Sequence, residues 1–354
     1  MIHEYAGNLH NHSIYSDGHG SHDQIALAAI QAGLDFVVVT DHNVWVNGMD
    51  GYRFLGKKRV LLLTGEEIHD QVRDPQKNHL LVFETQEELA TYAADPQDLI
   101  NEVKRADGLC FIAHPIDPAA PMFGEGDLSW VDWEVSDYTG LEIWNFMSEF
   151  KSHLSSLPIA FLLAYSPKRS AQGPFPEVLE RWDQLLASGK RIVAIGGADA
   201  HAAPYRKGPF KRTILPYEFL FRAVNTHVLT KHPLVGDAKH DRRLLFHSIS
   251  RGRCFVGFDL PASTRGFRFS AQGADDQAIM GDSIPARSGV TLQVKSPRRA
   301  ELSIFHNGER VRTWKEQDTA VYTVRSPGAY RVEVHIDFEG NRCGWIYSNP
   351  IYVT

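Results

Sequence analysis

Residues 36–42, Phe36-Val37-Val38-Val39-Thr40-Asp41-His42, set the reading of this chain. An unbroken apolar run of this length reads as a β-strand buried on both faces, as in a sheet covered by helices. The polar triplet that ends it separates by chemistry. Thr40 and Asp41 are good helix caps, and Thr40 is read as one. His42 is a poor cap and a good metal ligand. Asp41 stays open between orienting a ligand and a purely structural role.

The same pattern recurs on both sides of this stretch. Residues 5–9 lead into His10-Asn11-His12, whose i, i+2 spacing places both imidazoles on one face of a strand. Ser13 to Gly18 then sets Asp17 in a tight loop beside them. Val60–Leu63 runs through Gly65-Glu66 to Glu67; opposite strand parity allows only one of the two glutamates to face the site. His79 opens the run Leu80–Phe83, Leu109–Ala113 ends in His114-Pro115, and Ile192–Ile195 passes a Gly-Gly bend into Asp199-Ala200-His201. Helices are predicted over about 22–32 (with Gly33 as its stop), 96–106, 176–188 and 241–251. His10, His12, Asp17, His42, Glu67, His114, Asp199 and His201 sit at or just past strand ends, while His79 begins a strand. All nine are residue types that bind first-row metals through nitrogen or oxygen.

Strands alternating with helices predict an α/β fold with a mainly parallel sheet. Polar residues gathered at the C-terminal ends of seven strands predict a closed barrel with its site at that mouth. An open doubly wound sheet also binds at strand ends, but seldom draws ligands from every strand. Glu142 and Asn145, beside Trp144, are read mainly as packing residues. The segment 202–235 reads as irregular, and its basic residues Arg206, Lys207, Lys211 and Arg212 are candidate phosphate contacts. His3, His19, His22, His69, His153, His227, His232, His240 and His247 lack the strand-end pattern and are assigned to the surface or to supporting positions.

After about residue 257 the texture becomes short alternating runs, with Asn307-Gly308 as a hairpin signal. The expected organisation is a hydrolase barrel over residues 1–256 and a small antiparallel β-sandwich over 257–354. At 354 residues, 43% hydrophobic content and net charge -6, the chain has a substantial core and no general basic face for nucleic acid. No apolar run suits a membrane span, and the N-terminus lacks signal-peptide regions. Three separated cysteines without a CxxC fit a reducing, cytoplasmic setting.

The motifs NLHNHSIYSDG, VVVTDHN, TGEEIH, NHLLVF, FIAHP and GGADAH, in that order over residues 6–201, closely resemble those of the polymerase and histidinol phosphatase (PHP) family. The resemblance implies a distorted (β/α)7 barrel holding two or three divalent metal ions (Zn, Mn or Fe) and acting as a phosphoesterase. It implies a first ion on His10, His12, Glu67 and Asp199, and a second on Asp17, His42 and His201. A third would lie on Glu67, His79 and His114, with Glu67 bridging. Many family members carry histidine where this chain has Asp17. The tail motifs MGDSI, HNGERV, GAYRVEV and WIYSNPIYV are similar to the C-terminal part of carbaryl-hydrolase-like members.

The expected reaction is hydrolysis of a small phosphomonoester or phosphodiester by a metal-bound hydroxide, with His201 and Asp199 in the catalytic set. The substrate is expected to be a small-molecule phosphoester, with nucleic acid limited to nucleotides or short oligonucleotides; a homo-oligomer is left open. The same hydroxide aimed at a carbonyl would give a carboxylester or carbamate hydrolase. A non-catalytic metal- or ligand-binding protein is the alternative from another class. An amidohydrolase-type barrel also begins with HxH, but that type generally uses a carboxylated lysine, and no Lys stands at a strand end here. A polymerase is not expected at this length.

Overall fold

A computed structural model describes residues 2–121, 124–207, 210–287 and 289–354, without the side chains of residues 205–207, 210 and 211. The first strands are β1 (His3–Asn8), β2 (Phe36–Val39), β3 (Gly51–Leu55), β4 (Lys58–Thr64), β5 (Glu66–Ile68), β6 (Leu80–Phe83), β7 (Leu109–Ile112), β8 (Gly140–Asn145) and β9 (Val193–Gly197). Between them lie α1 (His22–Ala32), α2 (Pro96–Arg105), α3 (Phe146–Ser152), α4 (Leu157–Tyr165) and α5 (Pro176–Ala187). Local chemistry sets the helix ends. Ser21 and Gln24 form a reciprocal capping box on α1, and Gly33 closes it at φ 86°. Asp95 caps α2 ahead of Pro96.

β1 pairs parallel with β2, and β2 with β4. A second sheet has the order β5-β6-β7-β8-β9. Gly65 separates β4 from β5, and a Cβ there would lie 2.7 Å from the Phe83 ring and 2.9 Å from the Val82 carbonyl. The two sheets meet at one end through parallel bridges, His42 to Glu67 and Asn11 to Ala200. Strand parity divides the apolar residues into two cores. Phe36, Val38, Leu61, Leu63, Leu81, Phe83, Phe111, Ala113, Val193 and Ile195 form one. Their alternates, including Val37, Val39, Leu62, Leu80, Val82, Cys110, Ile112 and Ala194, pack with Ile25 and Ala29 of α1 and Leu99 and Val103 of α2.

The sheet departs from the mainly parallel expectation at β6, which is antiparallel to both β5 and β7. No helix connects Ile68 to Leu80. A parallel neighbour needs a longer crossover, usually helical, so the chain turns straight back.

The segment 202–235 is also more ordered than its sequence suggests. It contains a hairpin of β10 (Pro204–Lys207) and β11 (Phe210–Thr213), a short helix α6 (Tyr217–Leu220), and β12 (Val224–Thr230). Polar residues within β12 disguised a fully buried strand. Their partners are internal: the Asn225 side chain donates to the Phe221 carbonyl at 2.9 Å, and the Thr226 hydroxyl to that of Gly196 at 2.8 Å. β12 pairs antiparallel with β1 and with β13 (Cys254–Phe258), and α7 (Ala238–Ser250) packs Leu245, Phe246 and Ile249 into the first core.

The tail comprises β14 (Arg268–Gln272), β15 (Gln277–Ile279), β16 (Ser283–Ile284), β17 (Val290–His306), β18 (Glu309–Val324), β19 (Gly328–Phe338), β20 (Asn341–Ser348) and β21 (Ile351–Val353). Asn307 and Gly308 join β17 to β18 with φ of 48° and 87°, the conformation a tight hairpin needs. β13 pairs with β12 and also with β20, so the hydrogen-bonded path from β1 into the tail is unbroken. The division expected at 256/257 falls inside β13. The three cysteines are free and buried. No described helix is long and apolar enough to cross a membrane.

Candidate metal centre

All nine sequence-selected residues converge where the two sheets meet. Glu67, at the end of β5, is the hub. Its Oε2 lies 3.0 Å from His10 Nε2, 3.2 Å from His12 Nε2 and 3.3 Å from His42 Nδ1. Its Oε1 lies 2.9 Å from both His79 Nδ1 and His114 Nε2. Asp199 Oδ1 lies 3.1 Å from His12 Nε2, 3.5 Å from His10 Nε2 and 3.6 Å from His201 Nδ1. Asp17 completes the set, 3.2 Å from His201 Nε2 and 3.7 Å from His42 Nε2.

The antiparallel course of β6 explains His79. Ile68 pairs with Leu80, and Leu80 with Ile112, so the start of β6 lies beside the ends of β5 and β7. The Ala113 amide donates to the His79 carbonyl at 3.0 Å, and His114 follows at once. Two of the nine residues have left-handed backbones: His114 at φ 26° and Asp199 at φ 54°. Such conformations cost about 1–3 kcal/mol each outside glycine and persist only where the surrounding structure imposes them.

The donor set fits cations. Three groups of ligand atoms lie within 4.8 Å of one another: His12, Asp17, His42, His201; His10, His12, Glu67, Asp199; and His42, Glu67, His79. Several buried ring nitrogens lack a hydrogen-bond partner, including both of His12, Nδ1 of His42, Nε2 of His79 and Nδ1 of His114. Of these, His12 Nε2 and His42 Nδ1 lie 3.1 to 3.3 Å from carboxylate oxygens without a hydrogen bond, as donor atoms around a shared ion would. Burial alone would lift the Glu67 carboxyl, but His10 foremost, with His42 and His79 beside it, holds it well below the ordinary carboxylate range. Asp199 is depressed likewise, by the charge of His10 and by His12 close beside it. In return, burial pulls down the His12 and His114 rings, but their carboxylate partners raise both to about 9. His42 goes the other way, well below its usual value, through burial and the charge of His12. A field that holds protons on buried imidazoles also attracts a divalent ion.

Supporting residues were harder to read in sequence. Glu142 and Asn145, read mainly as packing, touch the cluster. Glu142 Oε1 is 3.1 Å from His10 Nδ1, and the Asn145 amide is 3.3 Å from Asp199 Oδ2. Their place beside Trp144 at the end of β8 was the available signal. Asp41 ties down the loop carrying Asp17, accepting 2.7 Å bonds from the Ser13 amide, the Ser13 hydroxyl and the Ser16 hydroxyl. Glu66 points away, and burial beside Glu88 pushes its carboxyl up to about 10. Among the histidines set aside, His22, His69 and His227 are buried, not on the surface. His69 stacks on His79 at 4.4 Å between ring centres.

The candidate phosphate contacts are not brought to the cluster by anything described. The side chains of Arg206, Lys207 and Lys211 lie outside the described residues. The Arg212 guanidinium lies 4.9 Å above the Tyr165 ring.

The histidine-carboxylate cluster between two sheets of a mixed α/β framework is a candidate metal centre. Residues 8–107 match the PHP domain family, a span holding His10, His12, Asp17, His42, Glu67 and His79. Among solved structures the chain is similar to a two-domain Bacteroides vulgatus protein containing a predicted PHP-like metal-dependent phosphoesterase. Identity is 16% and the TM-score 0.42, over 99% of this chain and 95% of the other. It is also similar to a Bifidobacterium adolescentis protein described as a metal-dependent phosphoesterase. There identity is 15% and the TM-score 0.35, over 59% of this chain and 92% of that one. No curated protein matches the chain.

Proposed function

We propose that this chain is a metal-dependent hydrolase that cleaves a small phosphate ester. The observation that carries this reading is the division of Glu67: one oxygen faces His10, His12 and His42, the other His79 and His114. A carboxylate used on both sides suits neighbouring cations, and a single structural ion would not need it. Bound cations supply Lewis acidity and a nucleophile at neutral pH.

The ligand sets follow the contacts. His10, His12, Glu67 and Asp199 would hold one ion, Asp17, His42 and His201 a second beside His12, and Glu67 and His79 a third with His114, which lies outside the three groups but 2.9 Å from Glu67 Oε1. The histidine content favours Zn, Mn or Fe. The side chains of His10, Glu67 and His114 are at most 3% exposed, whereas those of Asp17, His42 and His201 are 58%, 20% and 21% exposed. The ester therefore arrives from the Asp17 side, beside Asp199 and His201, the proposed catalytic pair. Basic residues of the β10–β11 hairpin, Arg206, Lys207 and Lys211, are proposed to meet its phosphate. β1, β2, β4 with β5, β6, β7, β8 and β9 read as one distorted seven-stranded barrel, closed by the two bridges at its mouth. Residues 1–256 form the catalytic unit in this reading, and 257–354 an accessory one.

The test is a panel of p-nitrophenyl phosphate, bis(p-nitrophenyl) phosphate, p-nitrophenyl acetate and an aryl carbamate, with protein loaded separately with Zn, Mn and Fe. Phosphate-ester turnover lost on chelation and restored by metal supports the proposal. Turnover of acetate or carbamate alone replaces it with a carbonyl-directed hydrolase. A metal-loaded protein inert across the panel makes it a binding protein.

A further inference from the structure

Glu142 contributes no atom to the three ligand groups, yet it is fully buried and touches the residues that do. Its Oε1 and Oε2 lie 3.1 and 3.2 Å from His10 Nδ1. Oε2 also accepts the His114 backbone amide at 2.9 Å and the Asn145 side-chain amide at 3.0 Å. That same Asn145 amide reaches Asp199 Oδ2 at 3.3 Å. One carboxylate thus connects to three ligand-bearing segments: β1 through the His10 ring, β7 through the His114 backbone, and β9 through Asn145.

The opposing strand leaves room for it. A Cβ on Gly197 would lie 2.5 Å from Glu142 Oε1 and 2.7 Å from the His10 Cβ. Only a residue without a side chain lets the carboxylate and the ring meet under β9.

We infer that Glu142 is a positioning residue for the metal centre, fixing His10 as the tautomer whose Nε2 is free to bind. The inference rests on the metal-centre reading above. Glu142 already accepts two N–H groups on Oε2, so it meets the ring as an acceptor and His10 Nδ1 is the donor. The remaining nitrogen, Nε2, lies 3.0 Å from Glu67 Oε2 and 3.5 Å from Asp199 Oδ1, and would turn its lone pair to an ion held among them. A carboxylate behind a metal-bound imidazole holds the ring's orientation and raises its basicity.

The experiment measures zinc affinity by chelator competition for wild type, Glu142→Gln, His10→Ala and the double variant, each checked for folding by circular dichroism. Glu142→Gln should weaken zinc binding by about 10- to 100-fold. In the His10→Ala background it should cost little more, because the ring it acts through is gone. Unchanged affinity in Glu142→Gln, or an equal loss in both backgrounds, overturns the inference. Long-range proton–nitrogen NMR of zinc-loaded wild type decides the matter even if Glu142→Gln fails to fold. A proton on His10 Nδ1 with Nε2 on the metal supports the inference, and a proton on Nε2 overturns it. Wild type that binds no zinc, manganese or iron brings down the metal-centre reading itself, an outcome separate from normal wild-type binding with an indifferent Glu142.

Discussion

The inner and outer halves of the histidine cluster use the same chemistry in opposite surroundings. His10, Glu67, His79 and His114 are enclosed, their side chains at most 3% exposed, and they sit on strands or immediately beside them. Asp17 stands in a loop with its side chain 58% exposed, and His42 and His201 are about one-fifth exposed. Rigid, dry ligands hold an ion and exclude water; wet ligands on loops admit a substrate and can yield to it. In the proposed reading, the contrast fits retention in the inner half and access in the outer.

Glu67→Gln should show the largest effect, since it removes the charge that both sides share. Turnover should fall on the order of 10⁴-fold, with bound metal reduced to less than half by elemental analysis. Retained turnover with full metal content would remove the distinction between the halves. Asp17→Asn should be milder. One ion is lost from the stoichiometry while the inner residues keep theirs, and turnover falls on the order of 10²-fold. Complete loss of metal would mean that the two halves act as one unit.

A buried cluster outside the three ligand groups gives the comparison a control. His227 Nδ1 is 2.9 Å from Glu4 Oε1, and Nε2 is 3.1 Å from Asp259 Oδ2. Burial opposes charge on this ring, but Asp259 and Glu4 overcome it and raise it to about 9, while Glu4 falls to about 2. The imidazolium's contribution is complete below about 6.5 and disappears as pH rises through about 9. That of Glu4 is complete above about 4.5 and fades toward about 2. Stability from this cluster is therefore greatest between these limits. Urea unfolding of metal-loaded protein should lose about 2–3 kcal/mol between pH 6.5 and 9 relative to His227→Gln. Parallel pH profiles for the two proteins would refute the charged ring. Arg212→Ala should have the smallest effect, less than about threefold in KM, because that guanidinium already lies over Tyr165. A tenfold rise would give Arg212 a direct part in holding substrate.

Much of this arrangement was legible because strand ends and helix caps are local signals. The β2 run Phe36–Val39 and the helix His22–Ala32 with its Gly33 stop read directly from the sequence. So did the convergence of His10, Glu67, His114 and Asp199, since each ends or follows a run. His79 carried the wrong sign for that rule, and only the reversal of β6 makes its position sensible. The role of Glu142 was hidden because a buried carboxylate beside a tryptophan looks like any satisfied core polar group until its partners are known. β12 was missed because Asn225, Thr226 and His227 interrupt its apolar pattern with groups satisfied only by distant residues. Local patterns report what a residue is, and register reports what it meets.

The pairing of β13 bears on how the protein can be cut. Phe255, Val256 and Gly257 are matched to Ser348, Tyr347 and Ile346 of β20. A truncation after residue 256 would strip that partner away and leave a row of bare amides and carbonyls on an apolar strand, ready to template aggregation. A shortened chain that precipitates would then report an unprotected sheet margin and say nothing about whether the tail takes part in the proposed reaction.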